Sequence, residues 1–486
     1  MKTTRRSFLK SSALAASALA LPASSWAAVR GANEDIRVAV IGFNGRGKDH
    51  IEGFRKIPGV RLVALCDVDK KVLEREAQKL KDADNPVKTY VDVRELLASD
   101  DIDAVSIATP NHWHALMAIW ACQHGKDVYL EKPVSHNVWE GRQIVRAARK
   151  YGRIVQTGTQ SRSNPGLQEA VAWVQGGGLG EIRLVRGLCY KPRQSIGHVN
   201  GPQPIPESVD YDLWCGPSPK KELLRKNLHY DWHWDFDTGC GDIGNQGIHQ
   251  MDIARWVLRQ NTLSPRILSV GGRLGYVDDG NTPNTQFILH EYPEVPLIFE
   301  VRGLPRSREY QTEELWSRNM PDYRGARIGV TVDCADGTLV IPSYDSAIAY
   351  DEKGNLIRKF SGSADHFANF IGAVRSRQAS QLNADIAQGH LSSALCHTGN
   401  ISHRLGRLML PEDIRDHLAF SGPARETYGR MVDHLRANGI DLNRHRLTFG
   451  AVLDMDPQRE RFTNNEAANQ LLTREYRYPF AVPEKV

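Results

Sequence analysis

The sequence predicts an α/β protein: an N-terminal Rossmann dinucleotide-binding domain joined to a C-terminal α+β domain with a large open, mostly antiparallel sheet. Three observations predict it. Short apolar runs and helical stretches alternate from Ile36 to Thr157, the rhythm of a parallel sheet with right-handed crossovers. A glycine-rich turn, Gly42-Phe43-Asn44-Gly45-Arg46-Gly47, stops the first apolar run, where backbone N–H groups and a helix N-terminus can meet a pyrophosphate. Beyond residue 157 the rhythm gives way to long alternating segments, Ile267 to Gly303 and Ile328 to Ile357, as antiparallel strands require.

The elements follow in order. Ile36 to Gly42 is a buried-strand pattern ended by glycine, and residues 45–57 suit a helix. Arg61 to Cys66 reads as a second strand ending at Asp67, and Asp69 to Lys81 as a charged amphipathic helix. Ala104 to Ala108 is a strand that leads into Thr109-Pro110-Asn111, then a helix from His112 to His124. A strand ends at Leu130, a helix runs from Trp139 to Tyr151, and a strand from Ile154 to Thr157. In the second part Ile182 to Tyr190 is strand-like, Pro192 to Pro219 is irregular, and helices return at His366 to Arg375 and Ala384 to Leu410. The domains are thus read as 36–157 and 158–410, with 411–486 a polar C-terminal extension.

A chain of 486 residues exceeds one core and suits two domains. Thr4-Arg5-Arg6-Ser7-Phe8-Leu9-Lys10, the apolar run Ser11 to Leu21 and Ser25-Trp26-Ala27 read as a twin-arginine export signal over residues 1–27. The formal charge of +5 falls to about +1 without that segment's four cations, which argues against a nucleic-acid or membrane-surface partner. No later run has the length of a membrane span. A periplasmic or otherwise extracytoplasmic protein, exported folded, is expected. The seven cysteines are scattered with no C-x-x-C pair. That suits folding in a reducing cytosol better than a disulfide framework or zinc site.

Two features locate chemistry. Asp67 lies 25 residues after Gly42 at the end of the second strand, where a carboxylate accepts hydrogen bonds from the adenosine ribose and repels a 2′-phosphate. NAD is therefore favoured over NADP. Glu131-Lys132-Pro133 follows the strand ending at Leu130, so Lys132 points into the ligand crevice at the carboxyl end of the sheet. Tyr230, Trp232, His233 and Trp234 form an aromatic cluster suited to sugar rings, or equally to a local core. His112 and His114 look metal-like in spacing, but no acid or cysteine completes a ligand set, and no metal is expected.

Glu131-Lys132-Pro133, taken with Gly42-x-x-Gly45-x-Gly47, Thr109-Pro110-Asn111-x-x-His114 and Gly247-x-His249-x-x-Asp252, resembles the Gfo/Idh/MocA oxidoreductases over roughly residues 36–410. The resemblance implies NAD(P) bound by Gly42, Asn44, Gly45, Arg46, Gly47, Asp67, Thr109, Pro110, Asn111, His114, Glu131 and Lys132. It implies a carbohydrate substrate, and a homo-dimer or tetramer associated through the open sheet face. Lys132 matches the lysine placed by nicotinamide and the reacting hydroxyl, and His249 matches the family's proton-accepting histidine. The inositol dehydrogenases have an aspartate where this chain has Asn245, an amide that positions a hydroxyl but cannot take its proton. Arg162, Asn164, Trp232, Trp234 and Asp252 are the expected substrate contacts.

Three functions compete. The first is oxidation or reduction of a sugar or polyol hydroxyl with tightly held NAD. The second is redox-neutral glycoside cleavage through a transient 3-keto sugar, which suits a compartment poor in free NAD. The third, a non-catalytic sugar-binding protein, leaves Lys132 and His249 without a purpose.

Overall fold

The computed structural model describes residues 35–486; the export-signal reading of residues 1–27 lies outside them. The first sheet is formed by β1 (Ile36–Ile41), β2 (Val60–Cys66), β3 (Lys88–Tyr90), β4 (Ala104–Ile107), β5 (Asp127–Leu130) and β6 (Val155–Thr157) in the order β3-β2-β1-β4-β5-β6. All of its pairings are parallel. This is the doubly wound order, in which the chain reverses direction across the sheet between β1 and β4 and opens a crevice at the strands' carboxyl ends. Helices α1 (Gly47–Arg55), α2 (Lys70–Asp82), α3 (Val93–Leu97), α4 (Asn111–Gln123) and α5 (Val138–Lys150) make the crossovers. Asp69, Asp92 and Asn137 cap α2, α3 and α5 through their side-chain oxygens, each fixing where its helix begins. Strands β4 and β5 are buried along their whole length, which explains why they read as unbroken apolar runs.

A 3₁₀ turn (Gln160–Ser163) and helix α6 (Pro165–Gln175) lead to β7 (Ile182–Tyr190). Then come α7 (Tyr211–Cys215), α8 (Leu228–Asp231), α9 (Gly241–Asn245) and α10 (Gly247–Val257). The second sheet has 12 strands, ten of them in the order β14-β13-β12-β11-β7-β10-β9-β8-β16-β15. They are β8 (Arg266–Gly272), β9 (Thr285–Glu291), β10 (Leu297–Arg302), β11 (Ile328–Cys334), β12 (Gly337–Ile341), β13 (Ser346–Asp351), β14 (Leu356–Ser361), β15 (Arg407–Met409) and β16 (Leu447–Phe449) with β7. Only β7 and β10 pair in parallel; the neighbours of β8, β9 and β11 are antiparallel. The mixed α+β architecture is the predicted one. Helix α10 and the long α12 (Ile386–Arg404), which follows α11 (His366–Ser376), bury Ile248, Met251, Leu395 and Ile401 against β7, β8 and β10.

Two expectations are corrected. The helix expected from Ala384 to Leu410 ends at Arg404, and residues 407–409 are strand β15, turned by Gly406 beneath Phe449 O. Residues 411–486 are not an appendage. Helices α13 (Pro411–His417) and α14 (Gly422–Ala437) lay Ile414, Tyr428, Met431 and Leu435 on Val270, Phe287, Leu289 and Ile298. Strands β16 and β17 (Leu453–Asp456) pair with β8. The sheet face through which the resemblance implies association is therefore covered over β8–β10 by the chain itself. The final residues return to the first domain, where Phe480 and Val482 join its core and Arg477 holds Asp212 at 2.8 Å.

Many histidines are buried as neutral groups. Both ring nitrogens of His290 lack partners, and burial pushes it down to about 3; His434 is likewise pushed down to about 3 by burial. Their folded values lie below the unfolded value near 6.5, so the unfolded chain binds protons first. Stability is fully present above about pH 6.5 and falls as pH drops toward 3, by roughly 1.4 kcal/mol per pH unit for each such histidine. Urea unfolding at pH 7.5 and pH 5 checks this: equal midpoints would sink it.

Candidate functional site

A cavity of ≈ 460 Å³ opens at the carboxyl ends of β1, β2, β4 and β5 and runs between the two domains. Its floor is the glycine-rich turn. Gly42 has φ +76°, and a Cβ there would stand 2.8 Å from Thr109 Cγ2, so only glycine brings this backbone against the β4 end. A Cβ on Gly47 would fall 2.1 Å from Gly42 O, so α1 starts hard against the turn. A Cβ on Gly45 would meet nothing within 4 Å; its edge faces open space, as a backbone that a pyrophosphate approaches should. Asn44, Gly45, Arg46, Thr109, Pro110, Asn111 and His114 line the same cavity, whereas Gly47 shapes it from behind. Asp67 also lines it. Its carboxylate accepts the Phe43 N–H at 3.2 Å and the Asp69 N–H at 3.0 Å, and burial raises its pKa from the ordinary carboxylate value. These residues fit a dinucleotide: a bare glycine edge for the phosphates and a fixed acceptor at the adjacent strand end for ribose hydroxyls.

Glu131 and Lys132 leave β5 toward the middle of the cavity. Glu131 is buried and accepts from Arg46 Nε at 3.1 Å and the Lys132 N–H at 3.1 Å, with His50 Nε2 at 3.0 Å. Burial alone would raise it, but the His50 hydrogen bond and the charges of Lys132 and Arg46 hold it well below the usual range. Glu131 is thus a fixed anion that orders the site rather than an acid that titrates. Lys132 Nζ donates to the backbone oxygen of Asn245 at 2.7 Å. Burial and the nearby cations Lys191 and Arg46 lower its pKa, with Glu131 opposing.

Across the cavity α9 and α10 supply Asn245 and His249. His249 is buried, its Nδ1 has no partner, and burial with the Lys132 charge pushes it down to about 3. It is a neutral imidazole at neutral pH; burial disfavours its protonated form, and the unpartnered Nδ1 is free to hydrogen-bond a hydroxyl. Asp242 is not available to it, because Arg193 holds both its oxygens at 2.7 and 3.0 Å. Tyr344 is a site residue that sequence reasoning missed. It lies in the β12–β13 loop, lines the cavity, accepts from Gln246 Nε2 and sets its ring edge-on to His249 at 5.0 Å. A loop residue a hundred positions away carries no local pattern to find.

The aromatic cluster divides. Tyr230, Trp232 and His233 line the cavity, while Trp234 packs under Arg193, 4.8 Å from its ring, in a separate gap. Three further residues expected at the substrate lie elsewhere. Arg162 and Asp252 form a buried pair at 2.7 and 2.9 Å, because the 3₁₀ turn after β6 directs Arg162 against α10. Asn164 caps α6 by accepting the Leu167 N–H at 3.0 Å. His112 and His114 bond backbone carbonyls, and no cluster of metal-ligating side chains occurs among the described residues. All seven cysteines are buried and unpaired.

Comparison with known proteins agrees with this geometry. Residues 36–159 match an oxidoreductase family with an NAD-binding Rossmann fold, and residues 182–281 match that family's C-terminal alpha/beta domain. A glycosyl hydrolase family 109 protein of Shewanella sp. (strain W3-18-1) is 38% identical over 120 residues, 24% of this chain and 26% of that one. Its counterpart in Shewanella baltica (strain OS155 / ATCC BAA-1091) is 40% identical over the same length and shares. The chain spans about a quarter of the length of these curated relatives. Among solved structures, the WlbA dehydrogenase from Bordetella pertussis, in complex with NADH and UDP-GlcNAcA, aligns with a TM-score of 0.54 at 18% identity, covering 75% of this chain and 93% of that one. Levoglucosan dehydrogenase, in complex with NADH and levoglucosan, aligns with a TM-score of 0.54 at 16% identity over 74% and 95%. At these identities the likeness is one of fold. The chain therefore carries both domains of the Gfo/Idh/MocA oxidoreductase family, the first an NAD-binding Rossmann domain over residues 36–159 and the second the C-terminal alpha/beta domain over residues 182–281.

Proposed function

We propose that the protein is an NAD-dependent enzyme that acts on a hydroxyl of a sugar or sugar derivative, with the cofactor retained between turnovers. One observation carries this: Lys132 and the neutral His249 line the same cavity as the bare glycine edge and Asp67. The chemistry NAD supplies when bound is acceptance of a hydride from a carbinol carbon. Lys132 Nζ, anchored on Asn245 O at 2.7 Å, donates a hydrogen bond to the hydroxyl oxygen and fixes the C–O bond. His249 takes the hydroxyl proton as the carbonyl forms and returns it in reduction. Tyr230 and Trp232 supply apolar faces for the ring, and Glu131 is buried away from water. Mass spectrometry of the supernatant from denatured protein tests retention, and absorbance at 340 nm across a sugar panel tests the reaction. Protein with no nucleotide and no absorbance change in a single turnover would overturn the reading.

The likeness of the nucleotide domain to glycosyl hydrolase family 109 proteins supports a second reading, redox-neutral cleavage of a glycoside through a transient 3-keto sugar. There Lys132 and His249 serve the same hydroxyl at the start and end of the cycle. Release of nitrophenol from nitrophenyl glycosides without net NADH distinguishes it. We propose further that the protein works outside the cytoplasm, on the twin-arginine pattern of residues 4–10; fractionation of cells with and without Arg5→Lys/Arg6→Lys tests that.

Asp67 yields a sharper expectation. Its position at the β2 end, beside the glycine turn, suits an acceptor for ribose hydroxyls. Asp67→Ala is expected to weaken NAD binding about tenfold to a hundredfold and to narrow the preference over NADP, by loss of charge-assisted hydrogen bonds and of repulsion. Nucleotide titration by intrinsic fluorescence measures both; an unchanged NAD/NADP ratio would remove Asp67 from the ribose.

A further inference from the structure

A second cavity, of ≈ 640 Å³, shares no lining residue with the first. It opens where the C-terminal ends of α6 and α10 meet the start of α12. Four arginines line it: Arg149, Arg162, Arg255 and Arg259. Two carboxylates answer them. Asp252 takes Arg162 and lies 3.7 Å from Arg255, and Asp385 takes Arg149 at 2.5 Å. Arg259 has the Gln175 backbone oxygen at 3.2 Å and no carboxylate within ion-pair distance among the described residues. The other partners of Arg255 are neutral: Ser392 Oγ at 2.9 Å, Gln260 O at 2.6 Å and Gln388 Oε1 at 2.7 Å.

Guanidiniums thus exceed carboxylates by two around one opening. One surplus charge is buried, because Arg162 and Arg255 share Asp252 and are only 7% and 1% exposed, and buried charge without a counter-charge is costly. The other, on Arg259, faces solvent. Burial and the neighbouring Arg162 push Arg255 down to about 10, the response of an under-neutralised cation. Helix ends explain part of the pattern, since Arg149, Arg255 and Arg259 lie near the ends of α5 and α10 and cations complement helix C-termini. That effect is about 0.3–1 kcal/mol each at exposed sites and does not draw four arginines to one cavity. Arg259 also sits at φ +54°, a left-handed position where glycine would be unstrained.

We propose that this cavity binds the acidic group of a saccharide, a sugar unit bearing a carboxylate or a sulfate. Arginine forks match either oxyanion. The cavity is far larger than a bare oxyanion needs and lies in the range of small-molecule sites. Gln175, Asn383 and Gln388 line it with amides, each bonded to the protein through one side-chain polar atom and keeping the other for a hydroxyl, and Trp256 gives it an apolar wall. The site goes beyond the proposed reaction and does not depend on it, because its residues lie outside the cofactor cavity.

The test is calorimetric titration of the full protein with glucuronate, galactose 6-sulfate, glucose and inorganic sulfate, repeated on Arg149→Gln/Arg259→Gln. Both arginines are exposed, so the variant should fold, and circular dichroism checks that; Arg149→Lys/Arg259→Lys serves as a second variant that keeps the charge. Binding of glucuronate or of galactose 6-sulfate, weakened about tenfold or more in the glutamine variant and by added salt, supports the proposal, and the tighter of the two assigns the acid group. No binding of either acid, binding unchanged in the glutamine variant, or glucose binding as tightly would overturn it. Inorganic sulfate binding as tightly as both acidic sugars would overturn the saccharide assignment. Loss of cofactor turnover with this binding intact would strike the proposed function instead.

Discussion

Replacing Lys132 by methionine is expected to lower turnover about a thousandfold while leaving the nucleotide bound, the middle of the range for removing a positioned group that serves the reacting hydroxyl. Methionine keeps the length and apolar stem of lysine, so the change isolates the ammonium. That group is held by Asn245 O at 2.7 Å and lies within the field of the buried Glu131 carboxylate. Glu131 keeps Arg46 at 3.1 Å and His50 at 3.0 Å in the variant, so the cofactor floor should survive. Denatured-supernatant mass spectrometry reads the nucleotide and single-turnover absorbance reads the chemistry. Loss of both together would make Lys132 a structural residue. Loss of neither would move the chemistry to another part of the cavity. In the redox-neutral reading the same variant should abolish aglycone release, because the hydroxyl it serves opens that cycle too.

The features the sequence revealed are those whose physics is local. Buried parallel strands write themselves as apolar runs, as at Ala104 and Asp127, and a turn that only glycine can make shows as Gly42. A strand end followed by Lys132 points into the crevice by topology alone. What escaped is non-local. Strand β16 has three residues, too few for a period, and exists because β8 offers an edge. Tyr344 reaches His249 only because β12 and β13 bring their loop over α10. Arg162 looked like a substrate contact because it follows a strand end, the usual place for one. Its burial against Asp252 depends on where α10 crosses, which no spacing encodes. Helices α13 and α14 show the same limit from the other side. Residues 411–486 read as polar, and the sheet face that Ile414, Tyr428, Met431 and Leu435 cover is not written in their local pattern.

The buried Arg162–Asp252–Arg255 group carries the second large expectation. Asp252→Asn should destabilise the fold by about 3–5 kcal/mol, the cost of stripping a buried ion pair of one partner. Asp252 is 1% exposed and accepts from Arg162 twice and from Ser392 Oγ at 2.7 Å. The amide cannot balance either guanidinium, and one of its two polar atoms is a donor turned toward cations. The charges of Arg162 and Arg255, with hydrogen bonds from Arg162 and Ser392, hold the Asp252 carboxyl below its ordinary pKa against the opposing effect of burial. Its folded value therefore lies below its unfolded one. The contribution is present above about pH 4 and is lost as pH falls through the folded value, so the asparagine variant should be most penalised at neutral pH. Urea unfolding of wild type, Asp252→Asn and Arg162→Met/Asp252→Asn measures it, with the double variant expected to recover part of the loss because one unanswered cation is gone. A single-variant loss under about 1 kcal/mol would mean that water or an anion from the adjoining cavity already neutralises the arginines. Repeating the measurement in sulfate separates those two: an anion restores stability only if it reaches them, and Arg162 and Arg255 both line that cavity.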